Sequence, residues 1–291
     1  MTTKVLVTGA DGQLAQTIKE LYYKNKDNIQ FVFVNKKQLD ITNFSKVSAF
    51  FSEHSFQYCI NCAAFTNVDG AETSKALAFS INANAVKHLA KCCKVSNTVL
   101  IHISTDFVFD GLKLEPYTEL DHTNPLSVYG RSKLEGENII NQIVNNYFII
   151  RTSWLYSEYK SNFVMAMLNL ATYKDDINVV NDQIGTPTNA NDLARAIIMI
   201  INNKDKNYGI YHYSNLGETS WYGFAKEIFK LTNAPITLNP IDSGAYFTKA
   251  KRPMYSVLDK TKISTVFDIN ILDWKESLKN HIKTLNFKKS T

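Results

Sequence analysis

A glycine-rich turn lies directly behind the first apolar run of this chain and restricts its fold more than any other segment. Residues 5–7 read as a strand, and Gly9-Ala-Asp-Gly12-Gln-Leu-Ala15 follows at once, opening a helical stretch from Gln13 to about Lys24. Glycine enters left-handed backbone without steric cost, so Gly9 suits a tight strand-to-helix turn. Gly12 lets the backbone approach a pyrophosphate at the positive end of the helix, and Ala15 takes a small-residue place that tolerates a methyl group. A turn of this kind also occurs as a plain βα connection. Its place after the first strand favours dinucleotide binding, with Gly9, Asp11, Gly12, Gln13 and Leu14 as the expected cofactor contacts.

Strand and helix signals then alternate at βαβ spacing. Strands are expected at 31–34, 58–61, 99–104 and 147–151, and helices at 44–51, at 71–95 and around Tyr129 and Lys133. The strands are near-continuous apolar runs, as buried parallel strands should be. Beyond Arg151 the rhythm loosens: helices at 163–172, 190–202, 221–231 and 274–285, strands at 178–180 and 211–214, and an irregular stretch at 235–253. Ser220 and Asp273 stand where the last two helices need N-caps. The expected fold class is α/β, a Rossmann-type doubly wound parallel sheet with a small C-terminal substrate-binding lobe. Residues 1–155 would form the dinucleotide domain, completed by about 176–215, and residues 156–175 with 216–291 the lobe.

The 291 residues, 45% of them hydrophobic, can bury a large core. A net charge of +5 comes from scattered lysines, which argues against a nucleic-acid partner and fits an anionic small molecule or a plain solvated surface. No apolar run approaches the ~20 residues of a membrane span, so no membrane partner is expected. The chain starts straight into a strand without a signal-peptide pattern, and Cys59, Cys62, Cys92 and Cys93 read as buried reduced thiols. The expected setting is cytoplasmic. Phosphate-transfer, zinc-protease and esterase motifs are absent.

Cofactor choice turns on the end of the second strand. An acidic residue there would select NAD, whereas this chain has Asn35-Lys36-Lys37 and no carboxylate until Asp40. Two cations suit a 2′-phosphate, so NADPH is expected over NADH; lysines simply in water are the competing account. Asp40-Ile41 would border the adenine. The small residues Cys62-Ala63-Ala64 after the third strand, with Thr66 beyond, would let the cofactor lie flat against the backbone.

Tyr129-Gly-Arg-Ser-Lys133 places a phenol and an ammonium on one face of a helix. A lysine one turn away can draw a tyrosine's value of about 10 toward the working range. Ser104-Thr105 ends the fourth strand, at the sheet edge where open α/β folds bind ligands. Thr105 could hydrogen-bond a substrate carbonyl, Tyr129 protonate the developing alkoxide, and Lys133 hold the nicotinamide ribose. Taken singly, Thr105 would be a strand-end cap and Y-x-x-x-K a chance pattern.

These strings resemble the extended short-chain dehydrogenase/reductases, and within them the dTDP-4-dehydrorhamnose reductase family. The similarity runs nearly end to end, through Asp40-Ile-Thr42, Asn61-Cys-Ala-Ala-Phe-Thr-Asn-Val-Asp69, Ser104-Thr-Asp-Phe-Val-Phe-Asp-Gly111, Arg151-Thr-Ser-Trp154, Asp182-Gln-Ile-Gly-Thr-Pro-Thr188 and Arg252-Pro253. The resemblance implies NAD(P)H reduction of a dTDP-linked 4-keto-6-deoxyhexose, with Thr105, Tyr129 and Lys133 catalytic. It implies that Val68, Asp106, Phe107 and Trp154 meet the sugar, and that Asn162, Gln183 and Arg252 meet the substrate or support its pocket. Arg252 before a proline in a late loop is by itself a natural diphosphate clamp. Phe107 stands where the family often has tyrosine and Gly70 where a lysine is usual, which leaves the identity of the sugar open. A homodimer is an assembly the resemblance allows. No carboxylate precedes Glu20 on the first helix, so no metal is expected. Competing readings are a reductase or epimerase of another nucleotide ketosugar, and a dinucleotide-binding regulatory subunit.

Overall fold

A computed structural model describes residues 2–22, 28–203 and 205–290; the expected helix end at Lys24 lies outside them. Five strands, β1 (Thr3–Thr8), β2 (Ile29–Val34), β3 (Tyr58–Asn61), β4 (Val99–Thr105) and β5 (Tyr147–Thr152), join a sixth, Gly209–His212, in one sheet. From one edge the order is Gly209–His212, β5, β4, β3, β1, β2, and every neighbouring pair is parallel.

Successive side chains of a strand face opposite sides, and here both sides are covered. Val5, Val7, Ile60, Ile101, Phe148 and Ile150 pack with the helices Gln13–Tyr22 and Ala190–Asn202. The intervening Leu6, Cys59, Leu100 and Ile149 pack with the helices Phe44–Glu53, Ala85–Val95 and Val128–Ile143. A separate apolar cluster, including Tyr156, Met167, Ile177, Phe224 and Trp274, is the core of the C-terminal lobe.

Two expectations are corrected by this architecture. Residues 176–180 were grouped with the dinucleotide domain, but the strand Asp176–Val180 pairs in parallel with Thr237–Ile241, inside the stretch read as irregular. Helix Ala190–Asn202 and strand Gly209–His212 carry the chain back to the main sheet, and so does the helix Thr261–Phe267, expected in the lobe, whose Ile263 and Phe267 join the sheet's core. The helix expected over 71–95 is broken into Val68–Thr73, Lys75–Phe79, a π-helical turn at Ser80–Asn84, and Ala85–Val95. Ser74 leaves the helical region (φ −122°, ψ 44°). Asn82 sits in the π turn because its side chain bonds both the N–H and the carbonyl of Phe65, and Ser132 Oγ. Tertiary hydrogen bonds override helical periodicity there. The caps fall as expected: Ser220 accepts from Gly223 N, and Asp273 from Lys275 N.

Helix Val128–Ile143 is fixed to the sheet by charge. Glu137 and Arg151, both almost fully buried, pair at 2.7 Å. Arg151 Nε donates to both Glu137 oxygens, at 3.1 and 3.2 Å, and Ser104 Oγ donates to the same carboxylate. On the far side Arg151 Nη1 lies 3.4 Å from His212 Nε2, while His212 Nδ1 bonds the Tyr117 carbonyl at 2.9 Å. Burial, then the arginine charge, pushes His212 down to about 3, so the neutral ring accepts from Arg151 and donates from Nδ1. Removing one partner of a buried, fully bonded pair strands the other charge. Glu137→Ala should therefore lower unfolding free energy by about 3–5 kcal/mol, read as a shift of the urea midpoint at unchanged slope. A loss under 1 kcal/mol would show that water reaches the arginine.

Candidate active site

Strand order reverses between β1 and β3, which opens a crevice at their carboxyl ends. Gly9 turns there with φ +67°, and a Cβ on it would lie 2.7 Å from Ala63 N, so only glycine fits. The crevice holds a cavity of about 230 Å³ lined by Gly9, Asp11, Gly12, Lys36, Asp40, Ile41, Cys62, Ala63 and Ala64, together with Leu39, Thr42 and Ile81. Nine of the expected cofactor residues thus meet in one place. Lys36 is mostly in water, 4.0 Å from Asp40. The Thr42 hydroxyl and N–H hold the Asp40 carboxyl below the usual range.

Other expected cofactor residues are placed differently. Leu14 is buried in the core beneath the turn. Gln13 spends its side-chain carbonyl on Ser157 Oγ and Asn162 Nδ2, at 2.9 and 3.1 Å. Asn35 borders the cavity through Asp11, at 3.4 Å, and Thr66 is exposed outside it.

The proton-transfer candidates converge at the end of β4. Thr105 Oγ1 donates to Asp106 Oδ1 at 3.0 Å and accepts from Phe107 N at 3.2 Å. Ser127 caps the next helix by accepting from Gly130 N, and Glu72 accepts from Val128 N at 2.8 Å, so Tyr129 sits in a firmly held first turn. A Cβ on Gly130 would lie 2.2 Å from the Phe107 carbonyl, so helix and strand end are in direct contact. The Tyr129 and Phe107 rings meet edge to face at 5.7 Å. Burial pushes the Tyr129 phenol up to about 12, against the Thr105 hydroxyl and with the help of Asp106. The expected draw from Lys133 is missing from the forces on this phenol. Lys133 Nζ instead donates to the Ile103 carbonyl at 2.6 Å and lies 3.2 Å from His102 Nε2. Burial lowers Lys133 to about 8, opposed by Glu137 and Cys62.

A second cavity, of about 610 Å³, opens within the C-terminal lobe, against the helix Phe163–Leu170 and the strand Asp176–Val180. Gln183 and Arg252 line it, with Trp221, Ser243, Tyr246 and Thr248. Arg252 Nη2 pairs with Asp69 at 2.9 Å, while its buried Nε has no partner among the described residues. Despite the opposing effect of burial, the Ala250 N–H and Arg252 hold Asp69 below the usual carboxylate range. Trp154, in left-handed backbone (φ 45°), stacks on Trp221 at 3.5 Å and 11°. It therefore backs the cavity through Trp221. Asn162 is committed as the cap of helix Phe163–Leu170 and as a partner of Gln13, a supporting role. Val68 opens the helix Val68–Thr73 that presents Asp69. Trp221 and Tyr246 were missed because nothing in their local sequence separates them from ordinary core aromatics.

The chain matches the family model described as RmlD substrate binding domain over residues 3–287. It belongs to this family. It is 41% identical over 288 residues to a dTDP-4-dehydrorhamnose reductase of Aggregatibacter actinomycetemcomitans, covering 95% of this chain and 97% of the relative. A crystal structure of a dTDP-4-dehydrorhamnose reductase from Clostridium acetobutylicum superposes with a TM-score of 0.93 at 42% identity, over 98% of this chain and all of that one (100%). A Bacillus anthracis dTDP-4-dehydrorhamnose reductase, solved in complex with NADP, gives 0.94 at 37% identity, over 98% and 100%. The fold described above is that of the family's solved members.

Asp106 makes the stability of this fold sensitive to pH. Burial raises its carboxyl to about 6, against hydrogen bonds from Ser256 and Thr105. The unfolded chain gives up this proton near its ordinary value and the folded chain only near 6, so this group destabilises the fold as pH rises through that window. Asp106→Asn removes the titration. Its stability relative to wild type should rise between pH 4 and pH 7 by on the order of 2 kcal/mol in urea melts. A difference that stays flat with pH would show Asp106 ionised throughout.

Proposed function

We propose that this protein uses NADPH to reduce the C4 ketone of dTDP-4-dehydro-6-deoxy-L-mannose, yielding dTDP-L-rhamnose. One observation supports the reading most: Thr105 ends β4 at the same carboxyl edge of the sheet as the dinucleotide crevice, and Tyr129, in the first turn of the next helix, packs on Phe107 beside it. The crevice fits such a cofactor, since Gly9 and Gly12 line it at the N-terminus of the helix Gln13–Tyr22, where a pyrophosphate would be held, and Lys36 is available to a 2′-phosphate. When bound, the cofactor supplies a hydride.

The chain's own residues do the rest. Thr105 offers a hydroxyl to the ketone oxygen. Tyr129, protonated at neutral pH because its value is about 12, donates its proton to that oxygen as the carbon accepts the hydride. A sugar alkoxide is more basic than a phenolate, so the transfer runs downhill. The products are a C4 alcohol and a Tyr129 phenolate, which regains a proton before the next turnover. Lys133 binds the ribose hydroxyls and steadies that phenolate once it leaves Ile103. Arg252, with its unpartnered Nε, takes the diphosphate of the nucleotide. The setting is the cytoplasm, which suits four unbridged cysteines.

Incubation with NADPH and this ketosugar should consume the cofactor's near-ultraviolet absorbance. Tyr129→Phe should slow hydride transfer by on the order of 10²-fold or more, with NADPH binding retained. Turnover near wild type in that variant would remove Tyr129 from its role. Turnover only with a different nucleotide ketosugar would keep the chemistry and reject the substrate.

A further inference from the structure

Lys133 ends in a buried polar chain that the reaction itself does not require. Its Nζ lies 3.2 Å from His102 Nε2, and His102 Nδ1 lies 3.0 Å from Asn61 Nδ2. Asn61 Oδ1 accepts from Thr8 Oγ1 at 2.7 Å and from Ala63 N at 3.3 Å. Thr8, Asn61, His102 and Lys133 are all almost fully buried, so no bulk water relieves a mismatch among them.

Donor and acceptor directions then fix the protonation pattern. The Ala63 N–H can only donate, so it needs Asn61 Oδ1, and the amide must turn its NH₂ toward His102. His102 Nδ1 must accept, and a neutral imidazole with Nδ1 bare carries its proton on Nε2. Burial and the neighbouring lysine both hold the ring neutral. That Nε2–H points at Lys133. An ammonium there would oppose donor to donor, whereas a neutral amine accepts from His102 and still donates to the Ile103 carbonyl.

We propose that His102 is a positioning residue for Lys133, its Nε2–H favouring the neutral amine on the strand, so that the free lysine gives up its proton more readily than the ammonium that a dinucleotide draws away. The proposal rests on the reading that Lys133 meets the cofactor ribose. The other titratable groups acting on the lysine are Glu137 on its own helix, already tied to Arg151 and Ser104, and Cys62 at the end of β3. Both favour the charged form, so neither accounts for a neutral amine.

The consequence is proton uptake on cofactor binding. NADPH titrations in buffers of differing ionisation enthalpy should show uptake approaching one proton per site above pH 8, where free Lys133 has lost its proton. NADPH affinity should fall up to tenfold per pH unit there. His102→Gln puts a rotatable amide in place of the ring, whose carbonyl can accept from the ammonium. Uptake at that pH should then largely vanish, and the fall in affinity should begin at least one pH unit higher. A purely structural role would weaken binding equally at all pH values. Tight NADPH binding by wild type without uptake, or unchanged uptake in His102→Gln, overturns the proposal. No NADPH binding at any pH overturns instead the cofactor reading beneath it. Should the variant fail to fold, the wild-type measurement still decides.

Discussion

The buried pair of Glu137 and Arg151 is the constraint on which the active site depends. Tyr129 and Lys133 belong to a helix, Thr105 to a strand, and proton transfer tolerates little error between them. Apolar packing alone would let a helix slide along a sheet, because it is non-directional. A carboxylate gripped by a guanidinium on β5 and a hydroxyl on β4 is directional in both respects. Its partners sit beside the reacting edge, since Ser104 is the neighbour of Thr105. Stability and register are supplied by one contact.

The same burial shapes the chemistry. A phenol surrounded by protein becomes a weaker acid, and Tyr129 moves up, not down. For a reductase this direction is serviceable. The group must arrive protonated, and a value above neutrality guarantees it. Lowering becomes useful only once a phenolate exists. Lys133 is engaged on β4 instead, by the Ile103 carbonyl and His102. In the proposed cycle, the pairing that the Y-x-x-x-K spacing suggests forms only once the lysine leaves the strand.

Much of the fold was legible because its signals are local or periodic. The turn at Gly9, the buried parallel strands and the caps at Ser220 and Asp273 each follow from a few consecutive residues. The cofactor crevice was legible for the same reason, as its lining comes from the ends of three strands. What the sequence concealed depends on contacts between distant segments. The break in the helix after Ser74 follows Asn82 reaching Phe65 and Ser132, and the grip on the catalytic helix joins Glu137 to Arg151. Neither leaves a pattern in a window of a few residues. The pairing of Asp176–Val180 with Thr237–Ile241 was hidden likewise, by 56 intervening residues between Val180 and Thr237 and by a proline within the second strand.

Asp69 and Arg252 show how the two halves of the molecule are coupled. They stand 183 residues apart, one on the helix that follows the cofactor-binding loop, the other in the lobe. Asp69 Oδ1 also accepts from Ala250 N at 3.0 Å, so one carboxylate holds both the arginine and the loop that carries it. Partly exposed pairs contribute little net stability. Placement is the larger effect here, because the carboxylate orients the guanidinium, whose buried Nε has no acceptor among the described residues. In the proposed complex, a diphosphate would meet an arginine already ordered by Asp69.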